Sequence, residues 1–291
     1  MKPAPFEYVT AETTEAAVAA LERFEGDARC LAGGQSLVPL LNMRLLRPAA
    51  VIDLNRLSGL DGLTVDDGRV RVGALVRYST LETSALVAER IPLLARAVPF
   101  VGDRQIRNRG TLGGALCHAD PAGEMALAAV TLGASLRAVG PDGAREVPAD
   151  DFFQGPYTTA LAPAEVLTEV AFLDGRGAVA AVAEHARRHG DFAIVAIAAA
   201  GLPGPGDSWR WVRIGLGGVA PRPLYAARAS ALLAGTRLEP EAVRAAAEAC
   251  LADADPASDI RASAEYRRHL IPVLVDRVLA ELRERRRGGT R

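Results

Sequence analysis

The sequence predicts an α+β fold laid out in three successive stretches. A β-α-β-α-β alternation fills roughly the first fifty-five residues, the pattern of a compact α/β unit. Period-two strands and a hairpin dominate the next stretch, which reads as mainly antiparallel. The last third combines a few strands with long helical segments. The chain has 291 residues, enough for one large domain or two ordinary ones.

Each element has a local reason. Phe6-Glu7-Tyr8-Val9 reads as a strand. Thr14 to Phe24 reads as a helix, because Val18, Leu21 and Phe24 share a face. Ala28–Leu31 is a short strand, and Ser36 is positioned to cap a helix through Leu37, Leu40, Leu41 and Met43, with Pro39 tolerated in the first turn. Val51–Leu54 is a third strand. Arg69-Val70-Arg71-Val72 alternates as a half-exposed strand does. Ser79–Glu82 and Ile91–Leu94 start helices, and Leu86, Val87, Ile91, Leu94, Ala97 and Val98 keep helical spacing. Met125–Leu132 is helical. Ser135–Val139 and Glu146-Val147 flank Gly140-Pro141-Asp142-Gly143 as a hairpin. Glu165–Phe172 is a further strand, and Asp174-Gly175-Arg176-Gly177 marks a boundary. Beyond it come a strand near Val182–Arg187, an apolar run Ile194–Ala200 and a strand Trp209–Leu216 that pairs back across Pro203–Asp207. Helical stretches follow at Leu224–Leu233, Pro240–Ala252 and Ala262–Leu282. The basic tail Arg283–Gly289 reads as a fraying helix end suited to the C-terminal dipole. Trp209 and Trp211, two apart on one strand, are expected on the same face.

Bulk properties exclude several classes. A net charge of −1 does not give the basic footprint of a nucleic-acid binder. No apolar run reaches the roughly eighteen residues of a membrane span. The start Met1–Glu7 lacks the apolar region of a signal peptide, so a cytoplasmic protein is expected. The 3 cysteines, Cys30, Cys117 and Cys250, form no C-x-x-C pair and read as small buried hydrophobes. They cannot cage an iron–sulfur cluster. His185 and His189 have helical spacing but no third ligand, and are assigned to the surface.

Two glycine turns carry most of the functional signal. The first is Ala32-Gly33-Gly34-Gln35-Ser36-Leu37, and the second is Thr111-Leu112-Gly113-Gly114-Ala115. Closely spaced backbone N–H groups make concave anion sites, and the glycines bring no Cβ to hold a ligand off. Two such turns suit the two phosphates of one diphosphate ligand. Neither is a P-loop or a G-x-G-x-x-G fingerprint.

With their flanks, these turns resemble a known family. The first block is Leu31-Ala32-Gly33-Gly34-Gln35-Ser36-Leu37-Val38-Pro39-Leu40-Leu41-Asn42-Met43-Arg44, and the second is Ile106-Arg107-Asn108-Arg109-Gly110-Thr111-Leu112-Gly113-Gly114. A third, Arg187-Arg188-His189-Gly190-Asp191-Phe192-Ala193, and the closing Ser263–Leu270 segment extend the match over nearly the whole chain. The sequence is similar to the FAD-binding, medium subunits of molybdenum hydroxylases, the xanthine dehydrogenase and aerobic carbon monoxide dehydrogenase family. Their fold is of the p-cresol methylhydroxylase (PCMH) type, shared with vanillyl-alcohol oxidase.

The resemblance implies a PCMH-type FAD-binding domain over residues 1–175. This comprises a small α/β subdomain, about 1–56, and a larger, mainly antiparallel subdomain, 57–175. Residues 176–291 would form a C-terminal α+β domain with a small antiparallel sheet and helices. The implied cofactor is FAD. Ala32, Gly33, Gly34, Gln35, Ser36 and Leu37 would hold its pyrophosphate from one side, and Thr111, Gly113, Gly114 and Ala115 from the other. Gly102 would lie along the cofactor, and Glu124 or Asp120 would reach its hydroxyls. Leu167 would pack beside it, and Phe192 would lie near the isoalloxazine. No catalytic side chain is implied, because the flavin carries the chemistry. Implied partners are a large molybdenum–pterin subunit and a small subunit with two [2Fe–2S] clusters, in a heterotrimer or its dimer. This chain would then transfer electrons to NAD, a quinone or oxygen. Ala115 replaces an Asn or Asp of many relatives. Glu184 or Ala183 stands where some NAD-linked relatives have Lys, which leaves the acceptor open. His118, within the second turn's flank, reads as packing. Two other readings stand beside this one: a stand-alone FAD oxidase or dehydrogenase of the same fold, and a cofactor-less assembly scaffold.

Overall fold

The computed structural model describes residues 2–288. Met1 and Gly289 lie outside them. The opening unit is β1 (Glu7–Thr10), α1 (Thr14–Arg23), β2 (Ala28–Leu31), α2 (Leu37–Asn42) and β3 (Ala50–Asp53). Its three strands form a parallel sheet in the order β1-β3-β2. Thr13 starts α1 by accepting from the Ala16 N–H at 3.1 Å. The buried face of that helix, Ala17, Val18 and Leu21, closes over Ala28, Ala50 and Ile52. Ser36 stands at the head of α2 but its side chain makes no capping bond.

The second stretch contains β4 (Leu63–Asp66), β5 (Arg69–Gly73), α3 (Tyr78–Thr83), α4 (Ala85–Arg90), α5 (Pro92–Ala97), α6 (Arg104–Arg109), α7 (Leu112–His118), α8 (Glu124–Leu132), β6 (Ser135–Gly140) and β7 (Gly143–Pro148). It continues with α9 (Ala149–Phe152), the small pair β8 (Phe153–Gly155) and β9 (Thr158–Thr159), and β10 (Val166–Leu173). The antiparallel sheet runs β4-β5-β10-β6-β7, with β10 placed between two strands distant in sequence. The hairpin register closes Gly140 on Gly143, as the turn residues predict. The helical spacing from Leu86 to Val98 is broken, because Ile91 is non-helical and Pro92 opens a new helix. β4, α6, α9, β8 and β9 lack the periodicity that would announce them.

The third stretch holds β11 (Val179–His185), β12 (Val195–Pro203), β13 (Trp209–Gly217), β14 (Leu224–Tyr225), α10 (Ala227–Leu233), α11 (Pro240–Asp253) and α12 (Ala264–Gly288). Its sheet is antiparallel in sequence order. Leu224 therefore begins a strand, and the helix starts only at Ala227. The α+β architecture is the expected one.

This last sheet is covered on both faces, so β12 reads as a continuous apolar run. Ala196, Ala198 and Ala200 join the core around α5 and α8, whereas Val195, Ile197 and Ala199 face the helices α10–α12. The two tryptophans do not share a face. Trp209 is buried among the helices and Trp211 packs against the opposite core. The register slip between Leu202 and Pro203 admits an extra residue on β13 and turns Trp209 over. The basic tail forms the last turns of α12, as the sequence predicts, and Gly289 lies outside the described residues. Within α12, Arg283 donates to Leu238 O at 3.1 Å, and Arg286 donates to Ser208 O at 2.6 Å while covering the Trp209 ring at 5.2 Å.

α8 lies against β13 where Gly215 leaves room. A Cβ there would stand 2.9 Å from Leu127 Cδ1 and would also overlap the Thr131 hydroxyl. Thr131 cannot turn away freely, since its hydroxyl donates to Leu127 O at 2.7 Å. Gly215→Ala is expected to cost about 1–3 kcal/mol through overpacking. Urea unfolding of the full chain measures it.

Candidate functional site

The turn after β2 and the turn before α7 lie against one another. A Cβ on Gly33 would stand 2.8 Å from Gly110 Cα and overlap the Arg109 carbonyl oxygen, so only glycine allows this approach. A Cβ on Gly114 would in turn be 3.9 Å from Ala32 Cβ. Gly113 packs just as closely on Ala74, whose Cα would be 2.9 Å from the added carbon. Gly34 has φ +76°, the left-handed conformation that completes the first turn.

Side chains tie the two turns together. Asn55, just after β3, donates from Nδ2 to Ala32 O at 2.9 Å and accepts at Oδ1 from Arg77 at 2.6 Å. The other arm of the Arg77 guanidinium donates to the Arg109 carbonyl. Asn55 is itself held by Asp53 Oδ1, which accepts its backbone N–H at 2.9 Å, and Tyr8 donates to the same carboxylate. Sequence reasoning missed Asn55 and Arg77. Neither lies in a glycine block, and their pairing joins residues that only the fold brings together.

The two turns do different work. Among the described residues, the N–H groups of Gly33, Gly34, Gln35 and Ser36 make no hydrogen bond. Four consecutive uncharged donors around a left-handed glycine suit a cluster of anionic oxygens. In the second turn, Leu112 and Gly113 donate to Val76 O and Ala74 O at 3.0 and 2.8 Å. Gly114 is capped by Thr111 Oγ1 at 3.1 Å, and Ala115 donates to Thr111 O at 3.1 Å. The second turn therefore offers small residues, an exposed Gly114 and a half-buried Ala115, rather than free donors.

The remaining sequence-selected residues spread around this pair. Gly102, at φ +49°, meets the loop after β11: a Cβ on Gly190 would be 3.1 Å from Gly102 O. Two residues on, Phe192 is 40% exposed, with the Arg261 guanidinium 5.3 Å from its ring centroid. Leu167 is buried in the central core, beside a register slip in β10. Asp120 is held in a turn by the Ala122 N–H at 2.9 Å and accepts from Tyr157 Oη at 3.3 Å. The His118 ring packs against Tyr157 at 5.2 Å, and burial lowers its pKa. His185 is half-buried and meets Tyr266 Oη at 3.1 Å, while His189 is exposed.

Acids lie behind the second turn. Tyr78 donates its N–H to Gly110 O at 3.1 Å, and its ring lies 2.8 Å from where a Gly110 Cβ would be. The phenol is close enough to Glu124 to feel its charge. Glu124 itself is 7% exposed. Burial pushes its carboxyl up to about 7, against the pull of its own backbone N–H and with a further push from Asp120. Burial also raises Glu184, to about 8, with Glu124 the added charge. Among the described residues no group of three His, Cys, Asp or Glu side chains could hold a metal ion, and no helix is long and apolar enough to cross a membrane.

By fold and by the family models it matches, the chain is a flavoprotein of mixed α+β architecture. Residues 4–172 match the FAD binding domain in molybdopterin dehydrogenase, and residues 180–282 match the CO dehydrogenase flavoprotein C-terminal domain. The chain belongs to this family of FAD-binding subunits, whose members are parts of oxidoreductases. It is 35% identical to the 6-hydroxypseudooxynicotine dehydrogenase complex subunit alpha of Paenarthrobacter nicotinovorans, over 99% of this chain and 97% of that one. It is 36% identical to the glyceraldehyde dehydrogenase medium chain of Sulfolobus acidocaldarius, over 97% of this chain and 100% of that one. In the reconstituted CO dehydrogenase from Oligotropha carboxidovorans, one chain superposes with a TM-score of 0.95 at 35% identity, covering 98% of this chain and 100% of that one.

Two outcomes follow from this geometry. Arg77→Ala should cost about 1–3 kcal/mol, because two carbonyl-type acceptors lose a charged donor, and Arg77→Lys should recover only part of that. Urea unfolding reads both. The second outcome concerns pH. Glu124 and Glu184 bind protons more tightly in the folded chain than at the ordinary value of 4.5. Their contribution to stability is complete below that value and is lost as pH rises through about 7 and about 8. The flavin-free chain should therefore melt at a lower temperature at about pH 8 than at about pH 5, and Glu184→Gln should narrow the gap.

Proposed function

We propose that this chain is the electron-transferring FAD subunit of a three-component molybdenum hydroxylase. The observation that carries the reading is the row of four free N–H groups at Gly33–Ser36, set against the small residues Gly113, Gly114 and Ala115 of the second turn. Those amides would hold the diphosphate oxygens with charge-assisted bonds, each roughly twice as strong as a neutral one. Ala32 and Leu37 flank that row. Thr111, Gly113, Gly114 and Ala115 would close the opposite side. Gly102 would run along the cofactor and Leu167 would support it from the core. Asp120 or Glu124 would accept from its sugar or ribityl hydroxyls. Phe192 would lie on the flavin ring, which accounts for an aromatic side chain left 40% exposed. Bound FAD supplies the redox chemistry, and the chain binds and orients it.

On this reading residues 1–175 hold the cofactor and residues 176–291 form the second domain, with a subdomain break near residue 56. Electrons come from [2Fe–2S] clusters on a small subunit, fed by a molybdenum–pterin centre on a large one, and leave to NAD, a quinone or oxygen. The assembly is a heterotrimer or its dimer. A relative described as part of a dehydrogenase complex supports the partnered form. The free thiols of Cys30, Cys117 and Cys250 fit a cytoplasmic setting.

Affinity purification through this chain, from cells that make it natively, tests the reading. The expected product contains two further subunits, molybdenum, iron and the visible flavin band. A flavin-bearing chain alone, reduced directly by a small substrate, would instead favour the stand-alone enzyme. A folded chain that never takes up flavin would favour the scaffold. Gly34→Val places a branched side chain at φ +76°. The strain, about 1–3 kcal/mol, should weaken FAD retention roughly tenfold or more with the fold kept. Flavin absorbance per chain and circular dichroism check the two halves.

A further inference from the structure

Glu184 is the least explained side chain in the molecule. It stands at the end of β11, and its Oε2 is wholly buried with no hydrogen-bond partner among the described residues. Strand register places it opposite Ala196 on β12. Ala196 lies beside Leu127, since both are within van der Waals reach of a Cβ placed on Gly217, at 3.5 and 3.4 Å. Glu124 is one helical turn before Leu127, on the same side of α8. This path of neighbours sets the two carboxyls on the same core-facing side, close enough for the charge of Glu124 to raise Glu184. Tyr78 links Glu124 to Gly110, which abuts Gly33 in the first turn.

The charges around this pair are acidic. Asp120 bears on Glu124, and Glu124 bears on Glu184. The other ionisable neighbours are Tyr78, His118 and Tyr157, all uncharged at neutral pH. The nearby cations are engaged elsewhere. Arg267 is held by Gly218 O at 2.9 Å and Asp259 at 2.8 Å. Arg188 pairs with Asp191 at 3.3 Å, and Arg187 donates to Ile260 O and Arg261 O at 2.9 and 3.0 Å. Arg96, on α5, faces Glu281 and Arg285 on α12. A buried carboxyl and a half-buried one whose Oε2 is shut off from solvent cannot both ionise cheaply when no cation among the described residues pairs with either.

We propose that Glu124 and Glu184 form a proton-storing carboxyl pair behind the two glycine turns, which takes up a proton when the anionic diphosphate cofactor docks against those turns. The uptake rests on the FAD reading above. The proton comes from bulk buffer and adds to a carboxylate oxygen of the pair, and no bond to the cofactor is made. The pair titrates as a unit, in two steps rather than one per residue. Docking a dianion nearby raises both steps, so the net uptake is largest between them.

Two measurements on the full chain separate the halves of this inference. Carboxyl-carbon NMR of the Glu-labelled, flavin-free chain should show two Glu signals titrating well above the ordinary range, near about pH 7–8. Glu184→Gln should remove one and bring Glu124 down. Titration of both signals in the ordinary range at about pH 4–5 would overturn the pair. Calorimetry of FAD binding in buffers of different ionisation enthalpy should then show net proton uptake at about pH 8, a pH at which His118 takes no part. Uptake should vanish at about pH 5 and fall at least twofold in Glu184→Gln or Glu124→Gln. FAD bound with no buffer dependence overturns the coupling and leaves the functional reading standing. A chain that gives the NMR pair but never binds FAD overturns the functional reading and the coupling with it.

Discussion

The approach of Gly33 to the Arg109 and Gly110 backbone is the constraint on which the rest of the molecule depends. It joins the turn after β2, within the parallel α/β unit, to the segment between α6 and α7. Backbone-to-backbone contact leaves no room for a side chain, so the seam is built from glycine and held from outside by Asn55 and Arg77. The arrangement shares out the hydrogen bonds. The second turn spends its N–H groups on Ala74 O and Val76 O, just after β5, and on its own cap, which fixes its shape, and the first keeps four unspent. A rigid wall opposite a row of free donors is what an extended anionic ligand requires.

The C-terminal sheet positions the loop that carries Phe192. Because β12 is covered on both sides, its alternating alanines let α5 and α8 approach one face while α12 covers the other. The loop from β11 to β12 is then carried over Gly102, and Phe192 emerges beside it. The same packing sets Glu184 within electrostatic reach of Glu124. A buried carboxyl with an unpartnered oxygen is a standing cost to stability, of a kind that concentrates where proteins bind or react.

The electrostatics of the site differ from those of the common phosphate loops. Among the described residues the side-chain hydrogen bonds to the first turn come from the neutral amides of Gln35 and Asn55, with Arg77 one step behind Asn55, and the acids lie behind the second turn. An anion docked at the first turn would meet neutral dipoles in front and protonatable carboxyls behind. Neutral donors grip a diphosphate without neutralising it, so its charge remains felt by the groups beneath.

The sequence by itself determined the α+β order of elements, most strand and helix positions, both glycine turns and the family. These are local properties: period, capping, turn chemistry and a run of residues that must pass close to something. It misjudged Trp209, because a register slip on a paired strand reverses a face without altering the alternation. It gave no sign of β4 or α6, which are held by neighbours rather than by their own pattern. The Asn55–Arg77 tie, the satisfied N–H groups of the second turn and the electrostatic reach between Glu124 and Glu184 were decided by tertiary structure alone. Each depends on distance between segments remote along the chain, and residue type and spacing carry no information about that distance until the sheets are assembled.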